Sequence, residues 1–492
     1  MTLWPSVLLL QKLHSVNPIL LILLRKVSLM TKNPNINSNA ALAEIFAEWA
    51  LDKTQALPKT ANQTVARMTY DAVGLMYAAR HEDYIVAAIN SVIEKGDCHA
   101  IGHKGGLGAY DSCLINGTAI HGEDFDDTYE GTPVHLAAAL VPPMIALSGV
   151  SQISRDDWVR SISLAAELVC RLVVVAPTAI HRQGFHPTSV LGAFGAAAAV
   201  GICLQLQPKQ LASALGIVGS MTSGIIEYLA EGTWTKRMHP GWAAASGLKA
   251  AFLARNDFLG PRTVFEGEHG FFKAYADRSV NQDFSVLDNW GGAWHFDKVA
   301  FKPFACGTMA QPFIDCALSA RVSIDIENIE RIVAHVGEGT VHRLWEPLEE
   351  KRRPSTPYGA KFSVPYCVAV GMIFGDAGLA QFTEQTLADD RVIELARRVS
   401  YRINPEDPYP QDYVGWLEIH TKAGDVHHFK QPCMRGGKNQ PMTDADIKSK
   451  FIANCLYGGL SNADALLAFE SLEMFFGKSV SNADELFSNL PV

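Results

Sequence analysis

The amino-acid sequence predicts an α+β protein with a large all-helical domain, discontinuous in sequence, and a smaller α+β domain. Apolar residues recur at helical spacing from about residue 40 to 277. Segments with the alternation that is typical of β-strands follow from about residue 300. Helix-capping motifs then mark a second helical region near the C-terminus. This order indicates that the α+β part is inserted into the helical part.

Two segments carry the helical prediction for the first part of the chain. "TANQTVARMTYDAVGLMYAAR" places Val65, Met68 and Met76 at helical spacing. "HPTSVLGAFGAAAAVGICLQL" is rich in alanine and glycine and has Pro187 at about its first helical position. Because small side chains let helices approach closely, we expect neighbouring helices to pack tightly against this one.

Three further segments predict the strands. "IERIVAHV" alternates like a strand, "VSYRI" is a second strand, and "WLEIHTKAGDVHHFK" forms two short strands around an Ala-Gly-Asp turn. A helix is expected between the first two segments, at roughly residues 360–373. Thr443-x-x-Asp446 and Ser461-x-x-Asp464 have the spacing of helix N-caps and predict the C-terminal helices.

These elements predict two domains with a cleft between them. The expected boundaries are a helical domain at residues 40–299, an α+β domain at 300–436, and C-terminal helices at 437–492 that return to the helical domain. Residues 1–39 are expected to be a leader that is disordered or that precedes a natural start at Met30. The apolar run "PILLILL" is too short to span a bilayer, and it lacks the order of charges and cleavage site that a signal peptide needs.

Composition and charge argue against several functions. The net charge is -9 and no basic patch is evident, so we expect no nucleic-acid partner and no membrane partner. The nine cysteines are odd in number and form no CxxC pair, which favours reduced thiols in a cytoplasmic protein over disulfides or a zinc site. There is no GxSxG or HExxH motif, so the sequence does not indicate a serine hydrolase or a zinc protease.

One segment, "HGEDFDDTYEGTPVH" from His121 to His135, concentrates five carboxylates and two histidines in a chain of which 19% is charged. A site for a hard cation, a solvated loop and an acid/base site are all compatible with it, although it does not match an EF-hand. If the preceding helix continues, His121, Asp124 and Thr128 share one face. A carboxylate beside a histidine raises its basicity, as acid/base chemistry requires. The residues alone do not decide among these interpretations.

Six segments form a recognisable series when they are taken in order. They are "YDAVG", "NGTAIHGEDFDDT", "QGFHPTSVLGAFGAAAA", "TKRMHPGWAAASG", "AFKPFACG" and "AKFSVPYCVA". The series resembles the MmgE/PrpD family from about residue 40 to 475. That family includes 2-methylcitrate dehydratases, cis-aconitate decarboxylases and iminodisuccinate epimerases. Several matches in the same order are much more specific than any one of them.

The resemblance implies an architecture and a chemistry. Family members have an all-helical domain and a smaller α+β lid, with the active site between the two. They are typically homodimers and use no metal and no organic cofactor. By this resemblance the partner of the chain is a small-molecule carboxylate substrate, and the carboxylate cluster serves acid/base chemistry.

The resemblance also implies roles for residues of the first domain. His135 corresponds to the family histidine after the DFDDT-like motif, although the spacing here is one residue longer, and its expected role is proton transfer beside a substrate carboxylate. His186 is expected to be a second acid/base group or a carboxylate ligand at a helix N-terminus. Asp124 is the expected orienting carboxylate, whereas Asp126 and Asp127 are expected to be structural.

Substrate binding is expected to depend on cations. Lys236 and Lys302 supply the positive charges that an acidic protein needs to hold a di- or tricarboxylate. Arg237 and His239 are expected to be secondary contacts, and Thr128 is an expected hydrogen-bond donor.

Tyr366 is the expected donor to the substrate or to the leaving group. The chain departs from some relatives, which carry a histidine about five residues after the equivalent of Lys302. Here the sequence is "KPFACGT", with Gly307 at that place and Cys306 beside it. In cis-aconitate decarboxylase that histidine belongs to the site, so the departure disfavours decarboxylation.

The sequence therefore predicts a cofactor-free lyase that acts on a small di- or tricarboxylate, with elimination of water as in 2-methylcitrate dehydratase placed first. A base removes the proton α to a carboxylate, the lysines stabilise the developing charge, and an acid protonates the leaving hydroxyl. An epimerase or isomerase of a dicarboxylate such as iminodisuccinate is the close second, and a cis-aconitate-type decarboxylase is the third. A polycarboxylate-binding protein without catalysis ranks lower, because it would not need the proton-transfer pair.

Overall fold

The computed structural model describes residues 40–480 and 482–492. The predicted leader at residues 1–39 lies outside these residues. The chain divides into two units, and the larger one, Leu42–Val492, contains every helix and strand described below.

The first part of the chain is almost entirely helical. Its helices are α1 (Leu42–Leu51), α2 (Ala61–Ala79), α3 (Asp83–Asn90), α4 (Ala109–His121), α5 (Ala137–Ser148), α6 (Arg155–Val175), α7 (Ala179–Arg182), α8 (Pro187–Cys203), α9 (Pro208–Gly219), α10 (Tyr228–Glu231), α11 (Thr235–Arg255) and α12 (Phe271–Tyr275). Three short strands accompany them, β1 (Lys95–Cys98), β2 (Thr128–Tyr129) and β3 (Val299–Ala300).

The second part mixes helices and strands. Its helices are α13 (Gln311–Arg321), α14 (Val341–Leu344), α15 (Leu348–Arg352), α16 (Pro357–Ala360), α17 (Val364–Phe374), α18 (Glu384–Leu387), α19 (Asp390–Arg397), α20 (Asp444–Tyr457), α21 (Asn462–Phe476) and α22 (Ala483–Ser488). Its strands are β4 (Ile329–Val336), β5 (Val399–Ile403), β6 (Gly415–Thr421) and β7 (Val426–Gln431). The predicted α+β fold class is therefore confirmed.

The main sheet has the strand order β5-β4-β6-β7. β4 and β5 are parallel, whereas β6 is antiparallel to both of its neighbours. Residues of β6 alternate between buried and partly exposed, as in a strand with one covered face. α13 packs on this sheet, and α17 packs on α13. The four strands that the sequence predicts are all present.

The predicted helix at 360–373 is shorter at its start. α17 begins at Val364 because the Ser363 side chain accepts a hydrogen bond from the Tyr366 backbone N–H, which is a helix N-cap. The preceding residues form the separate single turn α16, which is capped by Thr356.

Close helix packing brings distant residues together in the helical part. α11 packs against α8 and α4, and α4 crosses α11 where Gly117 faces Gly241. A Cβ at Gly117 would lie 2.5 Å from the Gly241 Cα, so neither position has room for a side chain. Lys236 and His239, at the start of α11, therefore lie near the C-terminal end of α4.

Two contacts join the parts of the chain. β2 pairs with β3 so that Thr128 lies opposite Ala300, and this pairing places Lys302 beside the segment that follows α4. α20 packs against α2, and its start is the capping box that Thr443 and Asp446 predict. The domain boundaries at residues 299 and 436 remain predictions.

No helix within residues 40–480 or 482–492 combines the length and the apolar character that crossing a membrane would require. All nine cysteines lie in the described part of the chain, and each is a free thiol there.

Candidate active site

The carboxylate-rich segment begins where α4 ends. The helix stops at His121, and Asp124 has a φ of 55°, in the left-handed region that non-glycine residues rarely adopt. The condition under which His121, Asp124 and Thr128 would share one helical face is therefore not met. The turn at residues 122–127 instead directs neighbouring carboxylates to different partners, a kind of backbone strain that often marks functional sites.

Asp124 binds the two predicted lysines. Its Oδ2 is 3.0 Å from the Lys236 Nζ, and its Oδ1 is 3.0 Å from the Lys302 Nζ. Burial would raise the pKa of Asp124, but the two ammonium groups outweigh this effect and hold the pKa well below its usual range. Burial would likewise lower the pKa of Lys236, yet Asp124 raises it. Lys236 is therefore charged although it is buried.

Asp126 is the carboxylate that contacts histidines. Its Oδ2 accepts a hydrogen bond from the His121 Nδ1 at 2.8 Å, and its Oδ1 lies 3.2 Å from the His135 Nδ1. Burial would raise the pKa of Asp126, but the two imidazoles hold it well below its usual range. The structure thus gives the orienting position to Asp126, whereas Asp124, expected in that role, binds lysines.

These contacts define the tautomers of His121 and His135. The His135 Nδ1 is also 2.8 Å from the Asp127 carbonyl oxygen, so in each ring Nδ1 faces an acceptor and must carry the hydrogen. Each Nε2 then keeps its lone pair. The His121 Nε2 is buried and has no hydrogen-bond partner among the described residues. Burial lowers the pKa of His121 to about 4 in spite of Asp126, so its ring is neutral at pH 7.

Asp127 has the structural place that was expected for it. Its Oδ1 and Oδ2 accept hydrogen bonds from the backbone N–H groups of Ala137 and Leu136, at 2.9 and 3.2 Å. These are orphan donors at the start of α5. Burial and the charge of Asp126 raise the pKa of Asp127 to about 7. Asp127 thus fixes the loop that carries His135.

His186 and His239 lie next to this pair. His186 is the N-cap residue of α8, and its Nδ1 is 3.2 Å from the His239 Nδ1. The ring centroids of His186 and His121 are 5.4 Å apart. Burial holds the pKa of His186 well below its usual range and lowers that of His239 to about 4. The cluster therefore contains four histidines, of which His121, His186 and His239 are neutral at pH 7 by these shifts.

Two other predicted residues contact their surroundings. The Thr128 hydroxyl donates to the Val134 carbonyl at 3.2 Å and so stabilises the turn before His135. The Arg237 guanidinium lies between the Tyr84 and Tyr358 rings, 4.3 and 4.7 Å from their centroids. Thr128 thus belongs to the scaffold of the site, and Arg237 lies at its edge.

Tyr366 does not join the cluster, and Tyr358 does. The Tyr366 hydroxyl donates to the Gln381 carbonyl at 2.8 Å. The Tyr358 hydroxyl instead lies 3.3 Å from the Lys236 Nζ. Burial raises the pKa of Tyr358 to about 12, although Lys236 opposes this, so the phenol stays protonated and can donate.

Three lysines hold the backbone of the segment. The consecutive carbonyls of Glu123, Asp124 and Phe125 each accept a hydrogen bond from a different buried lysine. The donors are Lys361 at 2.8 Å, Lys302 at 2.7 Å and Lys450 at 2.7 Å. Lys361 also pairs with the Glu123 carboxylate, and Lys450 pairs with Asp71. The unusual conformation of the segment is therefore fixed from three directions.

Sequence reasoning did not assign roles to several of these residues. His121 and Asp126 are five positions apart, so a continuous helix would have separated them; only the helix end at Gly122 brings them together. Lys361 lies between small and apolar residues in "YGAKFSVP", a signal that could have identified it as buried, whereas Lys450 follows Lys448 and Ser449 and has no such signal.

His121, Asp126 and His135 are also the residues that could hold a metal ion, since their donor atoms lie within 4.8 Å of one another. However, a nitrogen that faces a carbonyl oxygen at 2.8 Å carries a hydrogen and offers no lone pair. In its present geometry the His135 Nδ1 is therefore a donor and not a ligand.

Comparisons with known proteins cover most of the chain. Residues 44–283 match the MmgE/PrpD N-terminal domain, and residues 304–470 match the MmgE/PrpD C-terminal domain. A cis-aconitate decarboxylase of Mus musculus is 28% identical over 70% of this chain and 71% of its own. One of Homo sapiens is 28% identical over 76% of each chain. One of Aspergillus terreus is 25% identical over 90% of this chain and 95% of its own.

Proposed function

The chain belongs to the MmgE/PrpD family, and from this premise we propose that it is a lyase that acts on a small di- or tricarboxylate by proton transfer, without a cofactor. One observation carries the proposal. A buried carboxylate, Asp124, binds two buried lysines beside four histidines. Such a site combines positive charge for substrate carboxylates with neutral imidazoles that can accept protons.

Each group has a place in the proposed reaction. Lys236 and Lys302 hold the substrate carboxylates, and their charge stabilises the electron density that develops when the α-proton leaves. His135 takes that proton through its Nε2. Its side chain is 10% exposed, whereas that of His121 is 0% exposed, so His135 is the one that a substrate can reach. His186 is the partner acid or base, and Tyr358 supplies a further O–H donor.

Elimination of water is the reaction that we place first. At position 307, where some relatives carry a histidine, a Cβ on this glycine would lie 3.2 Å from ring atoms of Phe362. That ring is 5.7 Å from the Lys236 Nζ, so Phe362 takes up space beside the site. A histidine at 307 could not enter without displacing it, which supports a reaction other than decarboxylation.

Decarboxylation of cis-aconitate is the second candidate, because the relatives reported above carry that name. In this reaction the bond to a carboxyl carbon breaks, CO2 leaves, and the carbon accepts a proton from the site. The groups required are the same cations and the same proton-transfer pair. Epimerisation of a dicarboxylate is the third candidate. In this reaction the same lysines and histidines act, and the proton returns to the opposite face of the α-carbon.

Proton NMR in D2O tests the proposal directly. The enzyme is added separately to 2-methylcitrate, citrate, cis-aconitate and iminodisuccinate. With citrate or cis-aconitate, a vinyl signal that appears or vanishes by loss or gain of water supports the dehydratase. With 2-methylcitrate the sign of dehydration is the methyl doublet becoming a singlet, because a double bond formed at the methyl-bearing carbon carries no proton. Loss of one carboxyl group as CO2 supports the decarboxylase, and deuterium at an α-carbon of an otherwise unchanged skeleton supports the epimerase.

The control is His135→Ala, which should abolish turnover while the circular dichroism spectrum is retained. An unchanged rate in this variant would contradict the role of His135. No reaction with any of the four compounds would contradict the substrate class. Metal analysis of the purified active protein tests the metal-free part of the proposal, which a stoichiometric bound metal would overturn.

Two further expectations stay with the proposed function. The family resemblance supports a homodimer, which light scattering coupled to size exclusion would measure. The free thiols support a cytoplasmic location, which fractionation of cells would check.

A further inference from the structure

A cavity of about 380 Å³ lies between α20 and residues 375–381. Phe125, Phe304 and Leu379 are among its apolar lining residues. Within the described ranges, its lining includes none of the four histidines and neither Asp124 nor Lys302. Its volume lies within the range of about 300–1,000 Å³ that is usual for small-molecule pockets. The cavity is therefore a candidate binding site separate from the active site.

Buried hydrogen-bond donors line one wall. Lys450 and Asn454 are four residues apart on one face of α20, and they are 7% and 2% exposed. In residues 40–480 and 482–492 the Asn454 Nδ2 has no hydrogen-bond partner, although it is buried. A buried donor without an acceptor destabilises the folded protein. An acceptor group placed in the cavity would remove this destabilisation.

Arg435 adds a second cation to the lining. Its Nε donates to the Asp315 Oδ1 at 2.8 Å, and its guanidinium lies 4.9 Å from the centre of the Phe304 ring. These two contacts hold the side chain in place and leave its terminal N–H groups as donors. A planar guanidinium that is fixed in this way suits a carboxylate, which it can bind through two parallel hydrogen bonds.

Lys450 and Arg435 each have one carboxylate partner outside the cavity lining, Asp71 and Asp315, and the acidic residues of the lining itself are engaged elsewhere. Asp446 is occupied by the capping box at the start of α20, where it accepts from the Thr443 N–H at 2.8 Å. Asp376 is exposed at the rim and accepts from the Ala377 N–H at 2.8 Å. The Gln381 Oε1, by contrast, is a buried acceptor without a partner in the described chain.

We propose that this cavity binds a small hydroxycarboxylate. The ligand carboxylate accepts hydrogen bonds from Arg435, Lys450 and Asn454, and its hydroxyl donates to the Gln381 side chain. Both orphan polar groups of the cavity are then satisfied by one ligand. The binding part of this proposal does not depend on the reaction that the enzyme performs.

Two residues that line the cavity, Lys450 and Phe125, also take part in the contacts that stabilise the catalytic segment, residues 121–135. The Lys450 Nζ donates to the Phe125 carbonyl at 2.7 Å and lies 3.8 Å from the centre of the Phe125 ring. Phe125 is the residue between Asp124 and Asp126. A carboxylate that attracts Lys450 weakens its hold on this backbone, so an occupied cavity reduces turnover. This effect rests on the proposed function. The part of it that weakens substrate binding is reciprocal, so bound substrate weakens the ligand by the same factor.

Calorimetric titration with citrate tests the proposal. Citrate also fits the proposed active site, so we expect two sites for each chain. Asn454→Leu or Arg435→Gln should weaken one of them by at least about tenfold, the factor that corresponds to about 1.4 kcal/mol for a charge-assisted hydrogen bond. Lys236→Met should remove the other. Lys448→Gln, on α20 but outside the cavity lining, is the matched control and should leave both sites unchanged.

The outcomes separate the two proposals. Citrate binding that is identical in wild type, Asn454→Leu and Arg435→Gln overturns the cavity site. If Asn454→Leu does not fold, Arg435→Gln decides, because the Arg435 side chain is 28% exposed and the amide of glutamine is still a donor for the Asp315 carboxylate. If no polycarboxylate is turned over while binding still depends on Arg435, the proposed function fails and the cavity site stands.

Discussion

Two neighbouring acceptors decide which nitrogen of His121 and His135 is free. The Asp126 carboxylate accepts from the His121 Nδ1, and the Asp127 carbonyl accepts from the His135 Nδ1 with the Asp126 carboxylate 3.2 Å away, so both rings are held with Nε2 as the basic atom. A histidine that carried its hydrogen on Nε2 could not accept a proton there. A carboxylate that does not contact the substrate thus helps to determine which ring nitrogen can accept a proton.

Asp126→Asn should lower kcat by about 10²–10⁴-fold, the range typical for loss of a positioned acid or base. An amide offers an acceptor to only one of the two rings, and its NH2 group favours the wrong tautomer of the other. Steady-state kinetics measure the effect, and Asp390→Asn, which changes an exposed carboxylate on α19, is the control. A kcat within threefold of wild type would show that the tautomer does not matter.

The low pKa of His121 predicts how stability depends on pH. Its folded-state pKa is about 4, below the ordinary value of 6.5, so the unfolded chain binds this proton more readily. The contribution of the neutral His121 ring to the free energy of unfolding is fully present above pH 6.5 and is lost as the pH falls towards 4. Urea unfolding should therefore show that wild type loses about 2 kcal/mol more than His121→Gln between pH 7.5 and pH 5.

Asp127 has a raised pKa, so its contribution to the free energy of unfolding changes with pH in the opposite direction, but Asp127 is present in both proteins. The difference between wild type and His121→Gln therefore reports on His121 alone. Parallel curves for the two proteins would mean that His121 is not buried as a neutral ring.

The two tyrosines give a matched pair of variants. Tyr358→Phe removes the hydroxyl beside Lys236 and should lower kcat/KM about tenfold, as expected for one hydrogen bond of about 1.4 kcal/mol. Tyr366→Phe removes a hydroxyl that is bonded to the Gln381 carbonyl. It should lower the melting temperature and leave kcat/KM unchanged. The reverse result would restore Tyr366, the tyrosine that the family resemblance favours.

At the scale of elements, the crossing of α4 and α11 sets the position of Lys236 and His239. Gly241→Ala would place a Cβ 2.2 Å from the Leu114 carbonyl oxygen, so α11 must move away. We expect a loss of about 1–3 kcal/mol in unfolding free energy, together with a lower kcat/KM. Lys249→Ala, on the exposed side of α11, is the control and should change neither. A stable and fully active Gly241→Ala protein would mean that α11 is not fixed at this crossing.

The sequence predicts elements whose periodicity persists over several residues. All four strands of the main sheet and the Pro187 start of α8 were found in this way. β2 and β3 were missed because two residues have no period. The sequence left open whether the helix continues beyond His121, because no local pattern indicates the positive φ of Asp124.

The family resemblance supplied a different set of residues, whose roles stay predictions. The structure places these residues near one another: His135, His186, Asp124, Lys236, His239 and Lys302. Lys361 and Lys450 could not be assigned because their roles depend on contacts with residues far away in sequence, and no local pattern encodes those contacts. Asp126, expected to be structural, contacts His121 and His135 because the helix ends at His121, which the sequence did not indicate.

At the scale of the whole molecule, the candidate site is shared between distant parts of the chain. The histidines come from residues before 240, whereas Lys302 and Tyr358 come from the predicted α+β domain and Lys450 from the C-terminal helices. The site therefore depends on the contact between these parts and not on one of them alone. Motion of the α+β part would change the lysine contacts of Asp124 before it changed those of Asp126.

The three lysines that donate to consecutive carbonyls also predict an order of events during folding. Their donors lie 178, 238 and 325 residues away from the carbonyls that accept them. During synthesis the catalytic segment is made long before Lys450, the last of its three lysine donors. Contacts between such distant residues tend to form late in folding. In refolding experiments, the helical circular dichroism signal should therefore recover before activity does. Simultaneous recovery of both would show that the segment reaches its final conformation without waiting for Lys450.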